Sequence, residues 1–210
     1  MSTKRVVIEG GEHLEGVLRE GQGRGGVVIC HPHPLYGGSM WNNVVDALEE
    51  GFSQTGLTTL KFNFRGVGAS TGRHDEGAGE TGDVAAACLY LQAHTGGRAR
   101  LVLAGYSFGA WVCAKAVSGI MRDLARDVEL CLVAYPFSVY RDDELRAFRG
   151  KTCLVGGSRD EISPLDALLA LYKVLPGEKS LKVVPSSHTF DGQEPEITAF
   201  IRETFGKREG

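Results

Sequence analysis

Seven short apolar runs constrain this chain more than any other feature: VVI (6–8), VVIC (27–30), TTLKFNF (58–64), RLVLAGY (100–106), ELCLVAY (129–135), TCLVGG (152–157) and LKVV (181–184). Their near-continuous apolarity describes strands covered on both faces, the pattern of a mainly parallel sheet. Between them lie segments with helical period: MWNNVVDALEEGF, TGDVAAACLYLQAHTGG, SFGAWVCAKAVSG, SPLDALLALYKVLPG and EPEITAFIRETFG. Several of these end in glycine, a common helix stop. Near the start, VVIEG and LEGVLRE flank a short Gly/Glu/His stretch and predict an antiparallel hairpin feeding the β-α alternation. The expected class is α/β: a mostly parallel, twisted sheet of about eight strands with helices on both faces.

A chain of 210 residues can build one well-buried core, because a domain of that size buries roughly 70% of its unfolded surface. Glycines fall between the periodic segments rather than in one linker, so 1–210 reads as a single domain. The net charge of −3 provides no basic field for nucleic acid or anionic lipid. MSTKRVVIEGGEH lacks an apolar core of the kind that signal peptides carry, and no run approaches the roughly 18 residues of a membrane span. These features predict a cytoplasmic protein without nucleic-acid or membrane partners. Cys30, Cys88, Cys113, Cys131 and Cys153 sit inside apolar runs and read as buried, reduced thiols.

Gly105-Tyr106-Ser107-Phe108-Gly109 is a G-x-S-x-G element with a strand before it and a helix after it. That context describes a nucleophile elbow, in which a strained turn lifts the serine hydroxyl clear of the sheet. Neighbouring elements crowd the positions two residues either side, so only very small side chains fit there. The plainer alternative is a loop whose glycines merely end a strand and start a helix.

A nucleophilic serine needs a base, and the base needs an orienting carboxylate. SRDEISP places Asp160 after the strand TCLVGG, with Glu161 as its competitor, and PSSHTF places His188 after LKVV. Open α/β sheets put functional side chains at such strand ends. Taken singly, Asp160 reads as a turn residue and His188 as a loop histidine. Together with Ser107 they have the chain order of the α/β-hydrolase triad. His13, His74 and His94 lie in polar or glycine-rich segments and are expected to be solvated. His31 and His33, in CHPHPLYGGSMW, have no third ligand at helpful spacing, so no metal site is expected. This loop is instead expected to supply an oxyanion amide alongside that of Phe108. Pro32 and Pro34 have no N–H, which leaves His33, Leu35, Tyr36 or the glycines, with Leu35 preferred.

CHPHPLYGGSMWNNVV, NFRGVGASTG, GYSFGAW, SRDEISP and SSHTF resemble, in this order, the stations of a small bacterial-type α/β-hydrolase group with an HPHPxxGG loop. The resemblance covers nearly the whole chain. It implies that Ser107, Asp160 and His188 form the triad, that RGVGAS packs beside the active site and that no cofactor is involved. One departure lies around the histidine, which sits in SSHTF. The lid common in this fold follows the sixth strand, where FSVYRDDELRAFRG leaves room for one short helix and no cap domain. An open site rimmed by Leu35, Tyr36, Trp41, Phe108, Phe137 and Tyr140 is therefore expected, with ordinary core packing as the alternative for each aromatic. Tyr36, Trp41, Phe137 and Tyr140 are the candidates for contacting substrate.

The reading that follows is a serine hydrolase acting on a small-molecule ester or thioester with a small or accessible acyl group. The alternatives are a catalytically silent interaction protein on the same fold, and cofactor-free perhydrolase or lyase chemistry on the same triad. A dinucleotide-binding protein is disfavoured, since neither RGVGAS nor GYSFGA completes G-x-G-x-x-G after the first strand. Self-association through edge elements, as a homodimer, is the assembly that small open-site hydrolases suggest.

Overall fold

The computed structural model describes residues 2–23, 25–96, 100–124 and 127–206. Among these, eight strands form one sheet in the order β1-β2-β4-β3-β5-β6-β7-β8. They are β1 (Thr3–Glu9), β2 (His13–Arg19), β3 (Gly25–Cys30), β4 (Thr58–Phe62), β5 (Arg100–Tyr106), β6 (Glu129–Val133), β7 (Thr152–Gly157) and β8 (Lys179–Val184). The first two strands pair with each other antiparallel, and β2 also runs antiparallel to β4. All other neighbours are parallel.

Side-chain alternation along the central strands explains their unbroken apolarity. Val28 and Cys30 of β3 and Leu101 and Leu103 of β5 join a core beneath α2 (Ala78–Thr95) and α3 (Phe108–Leu124). Short α4 (Asp143–Ala147) and α5 (Leu165–Val174) extend that layer through Leu145, Leu168 and Leu171. Val27, Ile29, Val102, Ala104 and Tyr106 face the other way, toward α1 (Asn43–Gln54) and α6 (Glu194–Phe205). Two apolar layers thus require apolar residues at consecutive positions.

Several strands end where a competing backbone demand begins. The strand within TTLKFNF ends at Phe62: the Asn63 amide still donates to the Glu15 carbonyl of β2 at 2.8 Å, but the Phe64 amide is diverted to His31 Nε2 at 3.0 Å. ELCLVAY stops at Val133, since Ala134 adopts a left-handed φ of 49°. At the other end of the chain, the first run begins earlier than its apolar residues, at Thr3, because Lys4 and Arg5 continue the ladder with β2. Gly97, in the glycine pair that ends a sequence-predicted helix, lies outside the described residues.

The strand order reverses direction at β3, whose neighbours are β4 on one side and β5 on the other. At such a switch point the loops leaving adjacent strands diverge and open a crevice at the carboxyl edge. Between β6 and β7 the only helix is five-residue α4, so no lid covers this edge among the described residues. No described helix is long and apolar enough to cross a membrane.

The loop after β4 is pinned from below by a buried charge pair. Asp83 of α2, 2% exposed in its side chain, accepts the Arg65 guanidinium at 2.7 Å and the Arg65 amide at 3.0 Å. Asp83→Ala is expected to leave this cation without its partner and to cost about 3 kcal/mol. Urea unfolding tests this: a lowered midpoint at unchanged slope is expected, and an unshifted midpoint contradicts the assignment.

Candidate active site

The switch point brings the ends of β3 and β5 side by side, with Cys30 in register with Gly105. From Tyr106 the chain turns abruptly into α3 through Ser107, whose φ of 54° lies in the left-handed region. For a residue with a side chain this conformation costs about 1–3 kcal/mol. It is held by the Ser107 amide donating to the Val133 carbonyl at 2.9 Å, and by the Ser107 carbonyl accepting from Ala110 at 2.9 Å. A Cβ at Gly105 would stand 2.4 Å from the Gly109 carbonyl carbon, and one at Gly109 would stand 2.4 Å from the Cys30 carbonyl oxygen. Both glycines are therefore required sterically. The contact of Gly109 with the backbone of residues 30 and 31 also sets the start of α3 directly beside the loop that leaves β3.

His188 and Asp160 arrive from the ends of β8 and β7. The His188 Nε2 lies 2.9 Å from Ser107 Oγ, and its Nδ1 lies 2.8 and 3.0 Å from the two Asp160 carboxylate oxygens. Asp160 is 4% exposed, and its Oδ1 also accepts the amides of Ile162 at 2.9 Å and Ser163 at 2.8 Å. Two backbone donors on one oxygen fix the plane of this carboxylate. Glu161, the competing carboxylate, is exposed. The loop carrying His188 is tied from other elements: Tyr106 Oη donates to the His188 carbonyl at 2.7 Å, and Asn43 Nδ2 to the Thr189 carbonyl at 3.1 Å. Burial pushes the Tyr106 phenol well above its ordinary pKa, so it remains a donor.

The loop after β3 departs from expectation at Leu35. Its amide, the preferred oxyanion donor, instead donates to His33 Nδ1 at 3.2 Å, so that the His33 ring caps the 3-10 turn Pro34–Tyr36. Tyr36 and Gly38 donate to the His33 carbonyl, each at 3.1 Å, and Gly37 to the Pro34 carbonyl at 3.3 Å. Of the candidate donors His33, Leu35, Tyr36, Gly37 and Gly38, the His33 amide alone has no partner among the described residues. Phe108, the first residue of α3, likewise presents a helix-terminal amide. Its side chain is 1% exposed and packs in the core, 4.8 Å from the His33 ring.

Beside Ser107 and His188 lies a cleft of about 290 Å³, lined by Pro32, His33, Tyr36, Gly37, Gly38, Asn42, Tyr106, Ile162 and Thr189 as well. Of the four aromatic candidates for substrate contact, only Tyr36 lines it. Trp41 lies over Lys61, 4.8 Å from its Nζ, in a separate groove with Arg5 and Arg19. Tyr140 stacks on Trp111 at 3.9 Å, and Phe137 packs on Tyr135 at 4.9 Å, so both belong to the core margin. Periodicity did not signal Tyr106 or Ile162, because each reads as an ordinary apolar neighbour of a motif residue.

One histidine also differs from its sequence reading. His74 is not solvated: its Nδ1 stands 2.7 Å from the buried Glu80, and its ring packs 4.9 Å from that of His33. Burial, with His74 as the next contributor, lowers the pKa of His33. His31 is fully buried, and burial lowers its pKa to about 4.

No family model matches the chain. A stretch of 90 residues is 42% identical to an uncharacterised protein of Rickettsia prowazekii, spanning 43% of this chain and 38% of that protein's length. A solved α/β serine hydrolase homologue from Coxiella burnetii is 32% identical, covers 97% of this chain and 98% of its own, and superposes with a TM-score of 0.85. The chain belongs to the α/β serine hydrolase family. A lidless α/β serine hydrolase from Xanthomonas campestris is 25% identical over 96% of this chain and 93% of its own, with a TM-score of 0.84. Like it, this α/β serine hydrolase homologue has no lid among the described residues.

The buried His31 of this hydrolase homologue has a consequence for acid stability. Its folded pKa of about 4 lies below its ordinary 6.5. Between these values the unfolded chain takes up a proton that the folded chain refuses, so stability falls as pH drops through this window. The full loss is about 3 kcal/mol. Urea midpoints from pH 7 to 4 are expected to fall less steeply in His31→Gln than in wild type; parallel curves contradict this.

Proposed function

We propose that this protein is a serine hydrolase that cleaves a carboxylic ester or thioester of a small or accessible acyl group through an acyl-enzyme on Ser107. The observation that carries the reading is the continuous line of polar contacts from Ser107 Oγ through the His188 ring to Asp160. In the proposed reaction His188 Nε2 takes the Ser107 proton as Oγ bonds to the substrate carbonyl carbon, and the carbonyl electron pair moves onto oxygen. Asp160 keeps the His188 proton on Nδ1 and stabilises the imidazolium that forms. When the tetrahedral species collapses, the bond to the leaving alcohol or thiol breaks, and that group takes the proton from His188. Water then repeats the sequence on the acyl-enzyme and releases the carboxylic acid.

The tetrahedral oxygen needs donors placed in advance. The amides of Phe108 and His33 are the proposed pair, since each lies at the margin of Ser107 and the amides of Leu35, Tyr36, Gly37 and Gly38 are engaged. The α3 amino terminus adds a favourable partial charge at the same point. Apart from the histidines, the cleft lining is uncharged, and its volume of about 290 Å³ suits a compact, neutral acyl group. The serine hydrolase names of the Coxiella and Xanthomonas proteins support the reaction class.

The test is a panel of p-nitrophenyl esters, from acetate to octanoate, together with short acyl-thioesters. Wild type is expected to turn over the short members and Ser107→Ala none. Asp160→Asn is expected to lower kcat by about 10⁴-fold, because a misoriented imidazole is costly, whereas Glu161→Gln stays within about twofold. Asp160→Asn activity within tenfold of wild type would remove Asp160 from the proposed role. Absence of turnover on every ester, with a copurifying partner, would favour an interaction protein.

A further inference from the structure

His31 is a fully buried titratable side chain that the proposed reaction does not use, and it is absent from the cleft lining. Its two nitrogens have assigned roles. The Phe64 amide donates to Nε2 at 3.0 Å, so Nε2 carries no proton in the neutral ring. Nδ1 then carries it, and lies 2.6 Å from the Pro32 carbonyl oxygen, which can only accept. The depressed pKa keeps the ring in this neutral form at ordinary pH.

The Pro32 carbonyl belongs to the same peptide unit as the His33 amide. In a planar trans peptide the C=O and N–H point in opposite directions, so whatever fixes one aims the other. The carbonyl is also boxed in from Gly38, where a Cβ would stand 2.1 Å from the Pro32 oxygen. Proline at 32 fixes the preceding torsion, and Pro34 favours the extended conformation seen at His33, with φ −55° and ψ 123°. A hydrogen bond to a peptide carbonyl also polarises that peptide and strengthens its N–H as a donor.

We propose that His31 is a positioning residue of the oxyanion site: by donating Nδ1–H to the Pro32 carbonyl it fixes the Pro32–His33 peptide plane and aims the His33 amide at the oxygen bonded to the attacked carbon. The inference rests on the serine-hydrolase reading and adds to it a residue that never touches substrate. It acts on the transition state, in which the oxygen is charged, more than on ground-state binding.

Two half-deletions separate the nitrogens. In His31→Gln the side-chain oxygen can still accept from Phe64, but the donor at the Nδ1 position is gone. In His31→Asn the side-chain amide can still donate to Pro32, but the acceptor for Phe64 is gone. With a short p-nitrophenyl ester, His31→Gln is expected to lose about 10- to 100-fold in kcat, with KM within threefold. Its affinity for a trifluoromethyl ketone, which forms a tetrahedral adduct with serine, is expected to fall by the same factor. His31→Asn is expected to stay within about threefold on both readouts, even where it unfolds more readily. Equal impairment of the two variants, or a fully active His31→Gln, would overturn the proposal and leave the hydrolase reading standing. If wild type hydrolyses no ester and Ser107 forms no adduct, the hydrolase reading fails and the proposal with it. Should neither variant fold, ¹⁵N spectra of the wild type decide. The Nδ1–H tautomer at His31 and a downfield move of the His33 amide proton on adduct formation are expected. The Nε2–H tautomer, or an unmoved amide proton, would overturn it.

Discussion

The site depends on one close approach of backbone to backbone. Gly109 lies against the carbonyls of residues 30 and 31, and Gly105 lies against Gly109 itself. This contact lets the chain reverse from β5 into α3 within a single residue and leaves Ser107 in a left-handed conformation at the sheet edge. The same contact locks the α3 terminus against the loop after β3. Ser107, the helix-terminal amide and the His33 peptide therefore form one rigid assembly, not three separately placed parts. Its local cost is offset by surrounding elements, including the hydrogen bond from the Ser107 amide to β6 and the apolar layers on both faces of the sheet.

Histidines around this assembly show how environment assigns different work to one residue type. His188 bridges a hydroxyl and a buried carboxylate, and is tied through its backbone to Tyr106, the residue adjacent to Ser107. His31 is enclosed, neutral and hydrogen-bonded at both nitrogens by backbone groups. His33 uses its ring to cap a short turn, which engages the Leu35 amide, while its own amide has no partner in the loop. His74 packs on His33 and reaches Glu80, whose carboxylate also accepts the amides of Asp75 and Gly77 at the start of α2. The loop after β4 thereby buttresses the loop after β3 through His74 against His33.

Much of this was legible in the sequence, for identifiable reasons. Apolar runs without alternation reported a sheet covered on both faces, and the glycines around Ser107 reported crowding that only a sharp turn produces. The positions of Asp160 and His188 followed from their place just beyond strands. Leu35 illustrates what sequence could not supply: eliminating prolines reduced the donors to a few amides, but the choice depends on the rotamer of His33, which takes the Leu35 N–H. Trp41, Phe137 and Tyr140 were grouped with the cleft because aromatics near motif residues look alike in sequence. Their partners, Lys61, Tyr135 and Trp111, are set by tertiary packing. His74 was hidden in the same way, since nothing in a polar loop announces a buried glutamate on the following helix.

The central claim is that the Ser107 hydroxyl is made nucleophilic by His188. Intact-mass and peptide spectrometry after treatment with a fluorophosphonate tests it most directly. The account predicts one phosphonyl adduct per chain, located on Ser107, formed slowly in His188→Ala and absent in Ser107→Ala. Equal labelling of wild type and Ser107→Ala, or an adduct located elsewhere, would contradict it.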